Sequence, residues 1–134
     1  MGSAEPAQSP AAVDPACAVV DFEPVLDLDE TNGRIGVRTS NALTIGTLEE
    51  IQQGKAARHE LDQSCGEASA NAGTFALACA GEIKLFGDRE ETIATDKPVT
   101  AATVASTGEV LAGSDSERKI WVFDGGELKD TIDV

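Results

Sequence analysis

A repeat of short glycine-led hairpins limits what this chain can fold into more than any other feature. Residues 33–45 read GRIGVRTSNALTI, residues 73–85 read GTFALACAGEIKL and residues 108–122 read GEVLAGSDSERKIWV. Each begins with Gly and a polar residue, enters a short apolar run, crosses a polar turn and continues into a second alternating run. Gly33 and Gly73 are 40 residues apart, and so are Ile35 and Phe75, Leu43 and Ile83, and Ile45 and Leu85. Gly73 to Gly108 is 35 residues, and two extra residues in the third turn make Ile83 to Ile120 37. Chance similarity between hairpins does not hold one offset across four positions.

Each copy is flanked by further β-prone pieces. Val25–Leu28, Cys65–Ala70 and Val99–Ala105 precede the glycines, while Arg58–Leu61, Glu91–Ala94 and Asp130–Asp133 follow the second runs. One unit is therefore four short strands with tight turns, each strand alternating so that one of its faces is buried. Four-stranded units at this period are the pattern of β-propeller blades, because one small sheet cannot bury both faces and must stack on its neighbours. A meander or sandwich with regular hairpins is the competing fold. The expected class is all-β, with about three four-stranded antiparallel blades of a β-propeller at residues 24–63, 64–98 and 99–134. A closed ring takes about 4–8 blades, so the chain is expected to be a fragment of a longer propeller or part of an oligomer. The ending LKDTIDV, which stops within a strand pattern, favours the fragment. In the first unit, TLEEIQQGK at residues 47–55 predicts one short helical turn, with Leu48 and Ile51 placed to dock it on the blade.

Composition narrows the partners. The 24 acidic and 10 basic side chains give a formal charge of −14. Such a field repels phosphate backbones and anionic lipid, which argues against nucleic acid, and it attracts cations. Aromatic residues make up only 4% of the chain, so the core must come from Val, Ile, Leu and Ala. No apolar run approaches the roughly 18–20 residues of a membrane span. The Ala/Pro/Ser-rich start, MGSAEPAQSPAAVDPA, lacks the basic and apolar regions of a signal peptide but has the composition of a tether that follows one. Residues 1–23 read as that tether. They fit an exported protein, periplasmic or at the cell surface, with a lipid anchor in its precursor; a cytoplasmic protein with a floppy tail is the alternative.

Cys65 and Cys79 lie seven residues either side of Ala72. In a hairpin centred there they face one another across two strands, close enough for a disulfide. Two buried free thiols are the other reading. Cys17 is left over, to pair with a missing segment or with Cys65 instead.

The third unit, GEVLAGSDSERKIWVFDGGELKDTI, resembles a blade of the superfamily that holds YncE-like, quinoprotein-like and WD-type propellers. The resemblance extends over roughly residues 24–134 and implies a fold more than an activity. SCGEASANAGTFALACAGEIKLF is similar to part of the periplasmic zinc-chaperone propellers that serve zinc ABC transporters. Gly66-Glu67-Ala68 and Cys79 match that family, while Cys65 stands where it has a histidine. The resemblance implies zinc as a cofactor, His59, Cys65 and Glu67 as metal residues, and a zinc transporter's binding protein as a partner.

The remaining chemistry is sparse. His59 is the only histidine, where zinc takes four ligands that are mostly His and Cys. A Ser-His-Asp triad would have to use it, without a G-x-S-x-G elbow in support. DLDETNG has Asn32 and Arg38 where a calcium loop from Asp27 needs Gly and Glu, so it reads as a polar hairpin turn. No phosphate-binding glycine motif occurs. Trp121 alternates within a strand and is expected to pack the blade rather than stack a quinone. No catalytic or cofactor-binding residue is assigned. The expectation is a non-catalytic, exported binding or scaffold module for a protein or cationic ligand. The alternatives are a zinc metallochaperone supporting an ABC importer and, third, a propeller-fold hydrolase or quinoprotein.

Overall fold

A computed structural model of the chain describes residues 23–62 and 64–134. Apart from Glu23, the tether and Cys17 lie outside the described residues. Among the described residues, twelve strands form three four-stranded antiparallel sheets, each in chain order. The first blade holds β1 (Asp27–Thr31), β2 (Arg34–Arg38), β3 (Ala42–Gly46) and β4 (Ala57–Glu60). The second holds β5 (Ser69–Asn71), β6 (Thr74–Cys79), β7 (Glu82–Gly87) and β8 (Glu91–Ala94). The third holds β9 (Ala101–Val104), β10 (Val110–Gly113), β11 (Lys119–Asp124) and β12 (Glu127–Asp133). A single helical turn, α1 (Leu48–Gln52), joins β3 to β4. No helix among the described residues is long and apolar enough to cross a membrane.

The 40-residue offset is a strand register. Ile35 pairs with Gly46 in the first blade, and Phe75 with Phe86 in the second. The glycines set the preceding turns. Asn32 and Gly33 have φ of 52° and 81°, and Ala72 and Gly73 have 51° and 83°. Positive φ at both central residues is what a two-residue hairpin needs to match the twist of its strands. β1 therefore runs on to Thr31, which pairs with Arg34, rather than ending at Leu28. β5 is shorter than the Cys65–Ala70 pattern, and β12 begins earlier than Asp130.

The helical turn is held by its cap. Thr47 Oγ1 accepts from Glu50 N at 3.1 Å and Glu50 Oε1 accepts from Thr47 N at 2.8 Å, a reciprocal capping box. The expected apolar docking does not form, since Leu48 remains 58% exposed and only Ile51 is half-buried.

The core lies between blades. All six residues of β6 are buried, so the second blade is covered on both faces. Phe75, Leu77 and Cys79 pack with Leu43 and Ile45 of the first blade. Ala76 and Ala78, with Ile83, Leu85 and Ile93, pack against Val104, Val110 and Trp121 of the third. Trp121 is 2% exposed and serves packing. Gly36 lets Phe75 approach: a Cβ there would meet Phe75 Cε2 at 2.6 Å and Cδ2 at 2.8 Å. At Gly113, on the outer side of the third blade, a Cβ would meet only Lys119 O at 3.7 Å.

Gly36→Ala is expected to lose roughly 1–3 kcal/mol in urea unfolding through overpacking. Gly113→Ala should stay within about 0.5 kcal/mol of the parent. Equal losses at the two positions would mean that the first two blades are not packed this closely.

Candidate functional site

The seam between the first two blades is bridged by buried and half-buried polar contacts. Arg38, at the end of β2, is 4% exposed. Its Nη2 donates to Cys65 O at 2.7 Å, its Nε to Gly66 O at 3.1 Å, and its Nη1 to Thr39 O. Burial lowers its pKa from that of a free guanidinium. The carbonyl cradle thus ties the first blade to the segment that leads into β5. Nearer the hairpin turn, Thr31 Oγ1 accepts from Gly73 N at 2.9 Å, and Arg34 Nη2 donates to Gly73 O at 2.9 Å and to Asp88 Oδ1 at 2.5 Å.

The same segment is pinned from within its own blade by a disulfide between Cys65 and Cys79. The hairpin that brings them together pairs Asn71 with Thr74 and Ser69 with Ala76. Continued without change, that register would set Gly66 opposite Cys79. Residues 65–68 lie outside the ladder and take up one residue, so that Gly66 N donates to Ala78 O at 2.8 Å and Cys65 reaches Cys79.

The residues implied by the zinc-chaperone resemblance have other surroundings. His59, opposite Leu43 on β4, stacks on Phe86 with ring centroids 4.5 Å apart. The sulfur of Cys65 is committed to the disulfide and offers no thiolate. Glu67 is exposed. No group of three or more His, Cys, Asp or Glu side chains able to hold a metal ion occurs among the described residues. The residues present do not fit zinc as a set, and no zinc chemistry is derived from them.

The structure adds a cluster that the sequence reading passed over as a hairpin turn. Asp27 and Asp29 alternate on β1, opposite Arg38 and Gly36, and so share the face turned towards the second blade. Asp29 Oδ2 is buried without a hydrogen-bond partner among the described residues. Burial first, then the neighbouring Asp27, then the charge of Glu67 raise the Asp29 pKa from 3.8 to about 6. Two ionised carboxylates cannot hydrogen-bond, but a protonated Asp29 can donate to Asp27. Asp29 therefore keeps a proton into a pH range where an ordinary aspartate has lost it. The signal in the sequence was the D-x-D alternation at Asp27 and Asp29, legible only once β1 is known to face a neighbouring sheet.

The sign of the pH effect follows from linkage. Folded Asp29 keeps its proton up to about pH 6, whereas an unfolded Asp loses it near 3.8. Unfolding between those values releases a proton, so the contribution is full below the unfolded pKa and is lost as pH rises through the folded one. Asp29→Asn should remove this component. Its stability relative to the parent is expected to rise from about pH 4 to about pH 7 in urea unfolding and then level off. A constant difference across that range would rule out the raised pKa.

No family model and no curated protein matches the chain. Among solved structures, Hsv2 of Kluyveromyces marxianus matches with a TM-score of 0.54 at 15% identity, over 84% of this chain and 40% of that one. Hsv2 of Kluyveromyces lactis matches with a TM-score of 0.54 at 12% identity, over 84% of this chain and 38% of that one. Hsv2 is a β-propeller protein. The chain spans about 40% of the length of the structures it matches. At these identities the likeness is one of fold, and the finer resemblances to YncE-like and zinc-chaperone propellers rest on the quoted residues alone. The three sheets are consecutive blades of a β-propeller.

Proposed function

We propose that the chain is a non-catalytic β-propeller binding module for cationic partners, working in an oxidising, exported compartment. The observation that carries this reading is the carboxylate cluster of Asp27, Asp29 and Glu67 at the seam of the first two blades, in a chain of net charge −14. An inward carboxylate held above its ordinary pKa, with an unpartnered oxygen, gains when a positive group replaces its proton. The wider acidic surface raises the local concentration of such partners. The Cys65–Cys79 bond supports an oxidising compartment, since disulfides persist mainly outside reducing cytosols.

Isothermal titration calorimetry with a lysine-rich peptide and with spermine tests the binding. Affinity should fall as salt rises, because screening shortens the reach of the carboxylates. Asp29→Asn and Glu67→Gln should each weaken binding by roughly two- to fivefold, the ratio that about 0.4–1 kcal/mol corresponds to. Binding that ignores salt and both substitutions would exclude this cluster as the site.

Intact mass of protein refolded in air is expected to be two hydrogens below the fully reduced value when Cys17 is replaced by Ser. Replacing Cys65 and Cys79 together with Ser should cost roughly 3 kcal/mol, as expected for a bond that closes a short loop; the two residues are 14 apart. A double variant as stable as the parent would remove the argument for an oxidising compartment.

A further inference from the structure

Cys65 joins the seam of the first two blades in two ways. Its sulfur is bonded to Cys79 within the second blade, and its carbonyl accepts from Arg38 Nη2 of the first at 2.7 Å. Gly66 O accepts from Arg38 Nε at 3.1 Å. Two of the three acceptors of a guanidinium that is 4% exposed thus lie on the one short segment that the disulfide pins. The main chain of that segment is otherwise lightly held. Residues 65–68 lie outside the ladder. Among the described residues, their N–H groups reach other main-chain groups only from Gly66 to Ala78 O at 2.8 Å and from Cys65 to Asp62 O at 3.4 Å.

Arg38 has a second set of partners within its own sheet. Asp27 stands directly opposite it on β1, and Asp29 lies one step along the same face. Opposite residues of an antiparallel pair have Cβ atoms about 4.5–5.5 Å apart and diagonal ones about 7–8 Å, distances that an arginine spans. With the disulfide formed, the guanidinium turns away from both carboxylates and donates to carbonyls alone.

We propose that the Cys65–Cys79 bond is a redox switch that selects the partner of Arg38: carbonyls of the second blade when the bond is formed, the carboxylates of Asp27 and Asp29 when it is reduced. A dithiol supplies the two electrons. One of its thiolates attacks the sulfur of Cys65, which is 7% exposed against 2% for Cys79, and Cys79 leaves as a thiolate that takes up a proton. The second thiolate of the reductant displaces Cys65, which is protonated in turn, and the reductant departs as its own disulfide. Two separate thiols then need more room in a close-packed site, and residues 65–68, outside the ladder, are the part that yields. Their carbonyls move with them. A buried guanidinium without acceptors is costly, and a charge-assisted bond to a carboxylate is stronger than one to a carbonyl. The inference rests on the cation-binding reading only for its consequence, which is that reduction neutralises the carboxylate cluster from within.

Nuclear magnetic resonance on the full chain carrying Cys17→Ser tests this without any ligand, in air-oxidised and dithiothreitol-reduced forms. Reduction should speed exchange of the Gly66 amide at least about tenfold while the amides of β11 stay within about twofold, the pattern of a local opening. Asp29, which titrates at about 6 in the oxidised form, should fall below the ordinary 3.8, because an adjacent guanidinium favours the ionised carboxylate. In Arg38→Gln the same reduction should leave Asp29 at or above 3.8. Replacing Cys65 and Cys79 together with Ser should reproduce the reduced form in the absence of reductant. Unchanged Gly66 exchange after reduction would overturn the proposal, since the carbonyls then hold Arg38 without the bond. Faster exchange throughout β11 would overturn it too, by making the bond a requirement of the whole fold. An Asp29 that does not fall, or that falls equally in Arg38→Gln, would show that Arg38 does not change partner. None of these outcomes alters salt-dependent binding by the oxidised chain, so the two readings fail separately.

Discussion

Everything in this fold depends on the fact that a small four-stranded sheet has two apolar faces and cannot bury both by itself. Stacking blade on blade solves this for the second blade, whose β6 is buried at every position. Phe75 against Leu43 and Ile45 on one side, and Ala76 and Leu85 against Val110 and Trp121 on the other, make the second blade the centre of the molecule. Burial of each large apolar side chain contributes about 1.5–3 kcal/mol. These contacts exist only because neighbouring sheets share one register. The glycine hairpins set that register, and at Gly36 a missing Cβ brings Phe75 close enough to fill the seam.

Polar groups then fix how the first two blades meet. A buried guanidinium needs acceptors, and Arg38 finds them in carbonyls of the next blade rather than in a carboxylate. This leaves Asp27 and Asp29, on the same face of the first blade, without an ion pair to Arg38. Packing and charge are therefore linked at one place. The interaction that secures the seam also leaves its carboxylates unpaired with Arg38, and burial holds the Asp29 proton.

Much of this was legible in the residues. The offsets between Gly33 and Gly73 and between Leu43 and Ile83 are strand registers, because hairpins of equal loop length preserve pairing. The Cys65–Cys79 pairing was readable to within one residue because both flank one tight turn, and residues 65–68 take up the difference. Leu48 could not be read correctly, since an i,i+3 apolar pair says nothing about how a cap orients a one-turn helix. The length of β5 was hidden for a similar reason: residues 65–68 have strand-like alternation but leave the ladder. The carboxylate cluster at Asp29 escaped entirely, because its neighbours come from two blades.

Local periodicity and turn chemistry act over a few residues, so the sequence by itself determined the blade: four strands, their order and their turns. Relations between blades were decided only by the tertiary structure. It brought Arg38 to Cys65 and Gly66, and Asp29 towards Glu67, across about 27 to 38 residues of chain. It also showed which apolar faces find a neighbour. The physical reason is that charge and burial are properties of what surrounds a side chain, and in a stack of sheets those surroundings belong to the adjacent blade.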